Sequence, residues 1–352
     1  MSSGSVYAQR ATEGKELPSQ QLLDRYGLKL AWWGQATMDP VEDRVRYVSI
    51  DEQVVVVQST KGTVTTFDHD NGRRLWSAQF GRPNHPSYAV AINDQLIVVP
   101  VGMRMYAVDK FTGELIWQIL LPSHPSTSPS MDANRIYIGS LNGTLYAYNL
   151  KKVRQSFEEG YDERWSFLSL DWRYMAGKRI VTAPVSNDRN IAFASYDGLL
   201  YSVEAINHRL RFQFEPDYPI SAPLGFSENL LFAVTDGYKV YCIDSDDGNL
   251  IWEYAAGTPI HQAPRIIGQQ LFLVTDNGAM LCVSKATHQQ FWVRENVGQF
   301  LAATNSLVYA SDMVGNIQLV SREDGSTLGM LPLRQYTVRP ENDRTDRLFL
   351  VT

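Results

Sequence analysis

The chain has 352 residues, of which 44% are hydrophobic, 11% aromatic and 20% charged, a composition typical of soluble globular proteins. Its net charge is −6, and lysine and arginine are scattered rather than gathered into a basic stripe with interleaved aromatic residues, so nucleic-acid binding is disfavoured. No apolar stretch approaches the ~18 residues of a transmembrane helix, which argues against a membrane-spanning protein.

Residues 1–29 are interpreted as an N-terminal extension. Within it, residues 5–9 resemble the end of a cleavable export signal, with Val6 and Ala8 at the positions that such signals reserve for small side chains. No apolar segment precedes these residues, so the pattern by itself leaves two alternatives, export to the periplasm or the cell envelope and a cytoplasmic location.

The second half of this extension has two interpretations. Ser19 is a suitable N-cap, and a short helix after it would place four apolar residues on one face, namely Leu22, Leu23, Tyr26 and Leu30. Alternatively, Asp24 and Trp32 match two positions of the internal repeat described below. A short helix that runs into an outer strand at residues 30–35 satisfies both.

Short apolar runs recur along the rest of the chain. They are rich in Val, Ile, Phe and Tyr and too short for buried helices, so they predict strands. The eight runs are 54–57, 96–99, 136–138, 191–193, 230–234, 271–274, 307–309 and 348–351. Several are followed by Asn-Gly or Asp-Gly, which favours a two-residue hairpin because both turn residues need positive φ.

A tryptophan-containing string repeats with a period of about 40 residues. Trp76 and Trp117 are 41 residues apart, and Trp252 and Trp292 are 40 apart. This period predicts a propeller or a solenoid, and four short strands per repeat favour propeller blades. Counting the apolar runs predicts an all-β, eight-bladed propeller of four-stranded antiparallel blades, in one domain over residues 30–352.

The last five residues of the chain repeat residues 271–275 letter for letter. They mark a strand of the predicted eighth blade, and the remaining strand-like segment is residues 30–35. We therefore expect the N-terminal segment to close the ring beside residues 348–351, with N- and C-terminal segments in one blade.

One aromatic residue per repeat is predicted to lie on the outer strand and to dock into the wedge between neighbouring blades. A buried aromatic ring suits this position because it can cover roughly 150–250 Å². The predicted docking residues are Trp32, Trp76, Trp117, Trp165, Phe212, Trp252 and Trp292.

One segment departs from the period. Pro129 and Pro184, which open successive repeats, are 55 residues apart, and the additional chain falls within residues 151–178. Insertions in repeat proteins map to loops on one face, often the binding face, and aromatic and Arg side chains are enriched at interfaces. The candidate partner-binding residues are Phe157, Tyr161, Arg164, Trp172, Arg173 and Tyr174. A loop without a binding role is the alternative.

No residue is predicted to be catalytic, and no cofactor or metal site is predicted. Asp68, Asp109 and Asp244 share one position of the repeat, where a hairpin turn needs a hydrogen-bond acceptor, so turn formation is favoured over catalysis or calcium binding. The six histidines form no spaced pair on one element. Cys242 and Cys282 lie 40 residues apart at equivalent positions and are predicted to be buried small residues rather than a disulfide.

The string of Ala107, Asp109, Thr112, Gly113 and Trp117 resembles the tryptophan-docking repeat of PQQ-like (quinoprotein-type) propellers. The resemblance covers roughly residues 45–352 in about seven copies. It is specific for the fold, and two functional branches share it. Quinoprotein dehydrogenases bind pyrroloquinoline quinone and Ca²⁺ over the ring and have a pair of adjacent cysteines; BamB-like members are non-catalytic scaffolds without a cofactor.

The chain is similar to the BamB-like branch in its length and in lacking adjacent cysteines. This resemblance implies a monomeric, exported propeller that binds protein partners through the loops that connect its blades. A PQQ- and Ca²⁺-dependent dehydrogenase, or a propeller that binds a small ligand or carbohydrate, is the alternative function.

Overall fold

A computed structural model describes residues 17–83 and 85–352, and the export-signal pattern at residues 5–9 lies outside this range. The described chain begins with a short helix, α1 (Gln20–Asp24), which ends before Tyr26 and Leu30. Ser19 caps the helix, because its hydroxyl accepts a hydrogen bond from the Leu22 amide at 3.3 Å. None of the helices in the described residues combines the length and apolar character that a membrane span requires.

Twenty-eight strands follow, arranged as seven four-stranded antiparallel blades within residues 45–331. Blade 1 contains β1 (Val45–Ile50), β2 (Val54–Ser59), β3 (Thr63–Asp68) and β4 (Arg74–Gln79), and blade 2 contains β5 (Ala91–Ile92), β6 (Leu96–Val101), β7 (Arg104–Asp109) and β8 (Leu115–Leu120). Blade 3 contains β9 (Ser130–Met131), β10 (Arg135–Gly139), β11 (Thr144–Asn149) and β12 (Leu170–Met175), and blade 4 contains β13 (Val185–Ser186), β14 (Asn190–Ala194), β15 (Leu200–Glu204) and β16 (Leu210–Phe214). Blade 5 contains β17 (Gly225–Ser227), β18 (Leu230–Val234), β19 (Lys239–Asp244) and β20 (Leu250–Ala255), and blade 6 contains β21 (Arg265–Ile267), β22 (Gln270–Val274), β23 (Ala279–Ser284) and β24 (Gln290–Glu295). Blade 7 contains β25 (Gln299–Ala303), β26 (Leu307–Ser311), β27 (Ile317–Ser321) and β28 (Thr327–Leu331).

In blades 1, 2 and 5 the turn between the third and fourth strands is set by an Asp near its start and a Gly near its end. In blades 4 and 6, His208 and His288 hold the Gly position with φ 52°. In blade 2, Asp109 Oδ1 accepts hydrogen bonds from the amides of Phe111 at 2.9 Å and Thr112 at 2.8 Å. Gly113 then adopts φ 73°, and its amide donates to the Asp109 carbonyl at 3.0 Å. Only Gly takes this conformation without strain, so the Asp…Gly spacing of the repeat is a turn signal.

A small residue on the third strand lies opposite the aromatic residue on the fourth strand. Ala107 pairs with Trp117, Cys242 with Trp252 and Cys282 with Trp292, and each pair is followed by an irregularity in register. The small side chain leaves room for the indole ring above it. This explains why Ala, Ser, Thr or Cys recurs ten residues before the aromatic position.

The core lies in the middle strands of each blade and between neighbouring blades. Every residue of β2 and of β14 is buried. One apolar cluster joins Val54 and Val56 of blade 1 to Ile97 and Val99 of blade 2, with Trp76 between them. Each blade therefore buries its apolar faces only by stacking on its neighbours.

The prediction of eight blades was wrong, because the described residues form seven four-stranded sheets. Counting second-strand runs included residues 348–351, which do not belong to a sheet; in this run only Val351 forms a bridge, to Val338. Residues 30–35 also form no strand. A four-stranded blade needs its third strand to join the inner pair to the outer strand, and the described residues contain no third strand at this position.

The two terminal segments nevertheless lie between blades 7 and 1. Leu28, Leu348 and Leu350 pack against the apolar cluster of blade 7, whereas Trp32 and Phe349 pack against the cluster of blade 1. The described residues thus fill this part of the ring without completing an eighth blade.

Candidate partner-binding surface

The docking residues use the indole N–H to join neighbouring blades. Trp76 Nε1 donates to the Lys110 carbonyl, Trp252 Nε1 to that of Lys285 and Trp292 Nε1 to that of Arg322, each at 3.0 Å. In every case the acceptor is the residue that follows the third strand of the next blade. The rings of Trp76 and Trp292 cover the turn Gly of the next blade, where a Cβ on Gly113 would come within 2.5 Å of Trp76. The ring of Trp252 lies 5.7 Å from that of His288, which holds the same position in blade 6.

Two predicted docking residues show variations of this contact. Trp32 Nε1 donates to the His69 carbonyl of blade 1 at 2.8 Å, although residues 30–35 form no strand. Phe212 covers Gly248 but has no N–H to offer. There the Ser245 carbonyl accepts from Asn190 Nδ2 at 3.0 Å instead.

The docking position of blade 3 belongs to Trp172 and not to Trp165, which corrects the sequence assignment. Trp172 lies opposite the small residue Ala147, and its Nε1 donates to the Ala205 carbonyl of blade 4 at 2.7 Å. Trp165 lies before β12, in a 3₁₀ helix (Glu163–Ser169), and is 51% exposed.

The insertion replaces the third-to-fourth-strand turn of blade 3 by helix α2 (Leu150–Glu158) and the 3₁₀ helix. Asn149 caps α2, since its Oδ1 accepts from the amides of Lys151 and Lys152, both at 3.1 Å. In blade 3 the residue after the third strand begins α2, so the turn whose carbonyl accepts the docking N–H in other blades is not formed there. The docking residue of blade 2, Trp117, therefore lacks this acceptor. Trp117 is fully buried, and its Nε1 has no hydrogen-bond partner among the described residues.

Both inserted helices are fixed to blade 2. Leu150 and Val153 of α2 are buried in the cluster that contains Trp117. At the other end, Glu163 accepts two hydrogen bonds from Arg104, at 2.6 Å to Nη2 and 2.9 Å to Nε. Ser166 Oγ donates to the Leu120 carbonyl on the outer strand at 2.5 Å. The insertion is thus a platform anchored at several points.

Four large apolar side chains of this platform point to solvent. Tyr161 is 50% exposed, Trp165 51%, Phe167 55% and Leu168 46%, and the rings of Trp165 and Phe167 are 5.6 Å apart. We call these four residues the insertion surface. Beside them, hydrogen bonds from the Arg164 side chain and amide lower the pKa of Asp162 to about 2, which keeps this pair charged at neutral pH.

The structure divides the six predicted partner-binding residues into two groups. Tyr161, Arg164 and Arg173 are exposed. The other three pack against the blades. Phe157 is partly buried against the cluster of blades 2 and 3, and Trp172 is 5% exposed. The Tyr174 ring lies 6.1 Å from that of Phe193 and 5.8 Å from that of Tyr201. Trp172 and Tyr174 are therefore corrected to packing residues.

Sequence reasoning missed the exposure of Trp165, Phe167 and Leu168. The available signal was that Phe167 and Leu168 have no equivalent in the repeat, so that no blade position accounts for burying them. Because the repeat assigns Trp165 to a docking position, the sequence predicts a buried ring for this residue and not an exposed one.

The remaining polar candidates have structural surroundings. Cys242 and Cys282 are free and buried, as predicted, and burial raises the pKa of each thiol to about 12. Asp68 Oδ1 and Asp244 Oδ1 each accept hydrogen bonds from turn amides, as Asp109 does. Across the described ranges, no group of three or more His, Cys, Asp or Glu side chains is arranged to hold a metal ion.

Comparison with known proteins agrees with this architecture. A family model for outer membrane protein assembly factor BamB matches residues 2–166 and 162–350. A relative of that name from Nitrosomonas eutropha is 20% identical over 283 residues, which is 75% of this chain. The chain spans 63% of the length of that relative.

Two solved structures share the fold. The crystal structure of BamB from Moraxella catarrhalis has a TM-score of 0.68 at 13% identity and covers 90% of this chain and 94% of that one. The computationally designed protein Ika8 has a TM-score of 0.65 at 14% identity, with 80% and 85% covered. At these identities the likeness shows the fold alone, and the match of the family model over nearly the whole chain shows the relationship. The chain belongs to the family of the outer membrane protein assembly factor BamB.

Proposed function

We propose that this chain is a non-catalytic scaffold of the cell envelope that takes part in outer membrane protein assembly and binds a protein partner through the insertion surface. The family and the name of the relative from Nitrosomonas eutropha support the process. The observation that carries the binding site is the group of four exposed apolar side chains on an anchored insertion.

The exposed group has the properties of a binding hot spot. Tyr and Trp dominate the energetics of interfaces because they bury a large area with few rotatable bonds. Contiguous exposed apolar side chains mark interaction sites more often than isolated ones do. Tyr161, Trp165, Phe167 and Leu168 lie within eight residues of one another, on a segment that belongs to no blade.

Anchoring strengthens this site. The contacts of Glu163 with Arg104 and of Ser166 with Leu120 hold the 3₁₀ helix against blade 2 before any partner arrives. A surface that is ordered in advance loses little conformational entropy on binding. The partner we expect therefore offers apolar side chains at the centre of the contact, with polar groups that face Asp162, Arg164 and Arg173.

The test is co-purification with a double variant, Trp165→Ala with Phe167→Ala. Neither ring is buried in the core, so we expect the melting temperature to stay within about 2 °C of that of the wild type. We expect the partner that co-purifies with the wild-type chain from envelope extracts to be reduced roughly tenfold or more with the double variant.

Phe291→Ala is the matched control, because Phe291 is 48% exposed on β24 of blade 6, away from the insertion. It should retain the partner at the wild-type level. Equal recovery with the wild type and the double variant would refute the insertion surface as the binding site.

A further inference from the structure

The outer strand of blade 7 lacks the docking aromatic residue that the outer strands of the other six blades carry. Gly329 lies opposite Leu319 of the third strand, and the register shifts next to this pair. Trp117, Trp252 and Trp292 hold the same place in their blades, with the same shift beside them. Gly329 therefore occupies the docking position of blade 7, but it has no side chain that can dock.

An aromatic ring from the N-terminal segment lies at this position instead. A Cβ on Gly329 would come within 2.1 Å of Tyr26 Cε1, so the phenol ring lies directly against the glycine. Tyr26 is partly buried and packs, together with Leu22 and Leu28, against the apolar cluster of blade 7 that contains Leu319. The ring that blade 7 lacks on its own outer strand is thus carried by another part of the chain.

The end of α1 directs Tyr26 toward blade 7. Gly27 adopts φ 67° just after the helix. The Leu28 amide donates to the Leu23 carbonyl at 3.0 Å, and the Gly27 amide donates to the Asp24 carbonyl at 3.1 Å. This pair of bonds is the Schellman motif, which fixes the direction of the chain as it leaves a helix. The motif therefore holds Tyr26 and Leu28 in the orientation in which both pack against blade 7.

Six residues after Tyr26, the same segment reaches blade 1. Trp32 Nε1 donates to the His69 carbonyl at 2.8 Å, and the indole ring covers the turn glycine of blade 1, Gly72. Farther along, the Thr37 amide donates to Thr65 Oγ1 on β3 at 3.1 Å. The segment is thus attached to the last blade at one end and to the first blade at the other.

We propose that residues 19–38, which we call the clasp, are a strap that closes the ring by docking one aromatic ring on each side of the seam between blades 7 and 1. In each of the other six seams, one aromatic residue on an outer strand serves both blades. In the clasp, Tyr26 serves blade 7 and Trp32 serves blade 1, and the peptide between them couples the two contacts. Loss of the Tyr26 contact should therefore loosen both ends of the clasp while the other seams stay closed, because a fold can open locally without unfolding as a whole.

Native-state hydrogen exchange of Tyr26→Ala tests this coupling in the 352-residue chain. We expect the amides of β28 and the indole N–H of Trp32 to exchange roughly tenfold faster than in the wild type, since a buried aromatic contact is removed. The amides of β20 in blade 5 should keep their wild-type rates.

Two further variants are controls for Tyr26→Ala. Tyr26→Phe retains the ring that contacts Gly329 and should exchange like the wild type. Tyr161→Ala removes a ring of the same size that is 50% exposed on the insertion, outside the clasp. It should leave β28 and the Trp32 indole unchanged.

A substitution of Gly329 provides the reciprocal test. Gly329→Val places a branched side chain where the Tyr26 ring lies, so we expect the melting temperature to fall by roughly 2 °C or more. In the Tyr26→Ala background the same valine meets no ring, and valine suits a strand better than glycine does. There we expect no further fall. Non-additivity of this kind identifies residues in direct contact.

Two results would overturn the proposal. One is wild-type exchange of both β28 and the Trp32 indole in Tyr26→Ala, since this would show that the Tyr26 ring does not hold the seam. The other is an equal effect of Gly329→Val in the two backgrounds, since the ring and the glycine would then not form the docking contact of blade 7.

Discussion

At the scale of single residues, one hydrogen bond distinguishes the docking tryptophans. Trp76, Trp252 and Trp292 each donate to a carbonyl of the next blade. Trp117 is buried as well, and its N–H has no partner within residues 17–83 and 85–352, because the insertion replaces the turn that provides one in other blades. A buried donor without a partner costs about 1–3 kcal/mol, so this blade contact is weaker than its neighbours.

Replacing Trp252 or Trp117 by Phe removes an indole N–H in both cases, but only the N–H of Trp252 has a hydrogen-bond partner among the described residues. Trp252→Phe leaves the Lys285 carbonyl without its donor, whereas Trp117→Phe removes an unpaired donor. We expect the loss in free energy of unfolding, measured by urea denaturation, to be about 2 kcal/mol greater for Trp252→Phe. Equal losses, or a greater loss for Trp117→Phe, would contradict this explanation.

Sequence reasoning located most docking residues but assigned the position of blade 3 to Trp165 instead of Trp172. The distance from Ala147 to the docking residue is not ten residues in blade 3, because two helices intervene. Only the register of β11 with β12, in which Ala147 faces Trp172, decides the assignment. The same register explains why Trp165, Phe167 and Leu168 remain outside the core.

At the scale of elements, turns fix each blade and connect it to its neighbour. The Lys110 ammonium lies 2.5 Å from Asp51 and 2.9 Å from Gln53, in the first turn of the preceding blade. Lys285 makes the equivalent contact with Glu228, at 3.0 Å. These side chains explain why a lysine at the residue after the third strand can be buried: its charge is paired across the seam.

The hairpin between β26 and β27 makes stability depend on pH through Asp312. Burial opposes the charge of Asp312, but hydrogen bonds from Asn316 and Val314 outweigh it and lower the pKa of this carboxyl. A lowered pKa in the folded state means that the charged form stabilises the fold. This contribution is complete above about pH 5 and is lost as the pH falls below about 4, through the folded pKa.

Asp312→Asn should therefore reduce the free energy of unfolding by about 1 kcal/mol at pH 7 and have little effect at pH 2.5. Urea denaturation at a series of pH values measures the difference. The exposed Asp94→Asn is the matched control and should follow the wild-type curve. A constant difference between Asp312→Asn and wild type from pH 7 to pH 2.5 would argue against this role.

At the scale of the whole molecule, the regular period of the chain was enough to predict a propeller of four-stranded antiparallel blades. The number of blades was not predictable by counting apolar runs, since residues 348–351 repeat a second strand that no third strand in the described residues joins to an outer strand. The N- and C-terminal segments still meet, through Trp32 and Phe349. A repeated pentapeptide marks the position of one strand, whereas a complete blade requires four strands.

This architecture suits a scaffold, because the insertion of blade 3 packs against blade 2 and lies outside the seven four-stranded sheets. The four exposed apolar side chains of the insertion surface support the partner binding proposed above.

The most direct test is the abundance of outer membrane proteins in the organism that carries this gene. After depletion of the protein, quantitative mass spectrometry should show a loss of outer membrane proteins that the wild-type chain and Phe291→Ala restore. The variant with Trp165→Ala and Phe167→Ala should not restore them. Unchanged levels after depletion, or full restoration by the double variant, would contradict the proposed function through the insertion surface.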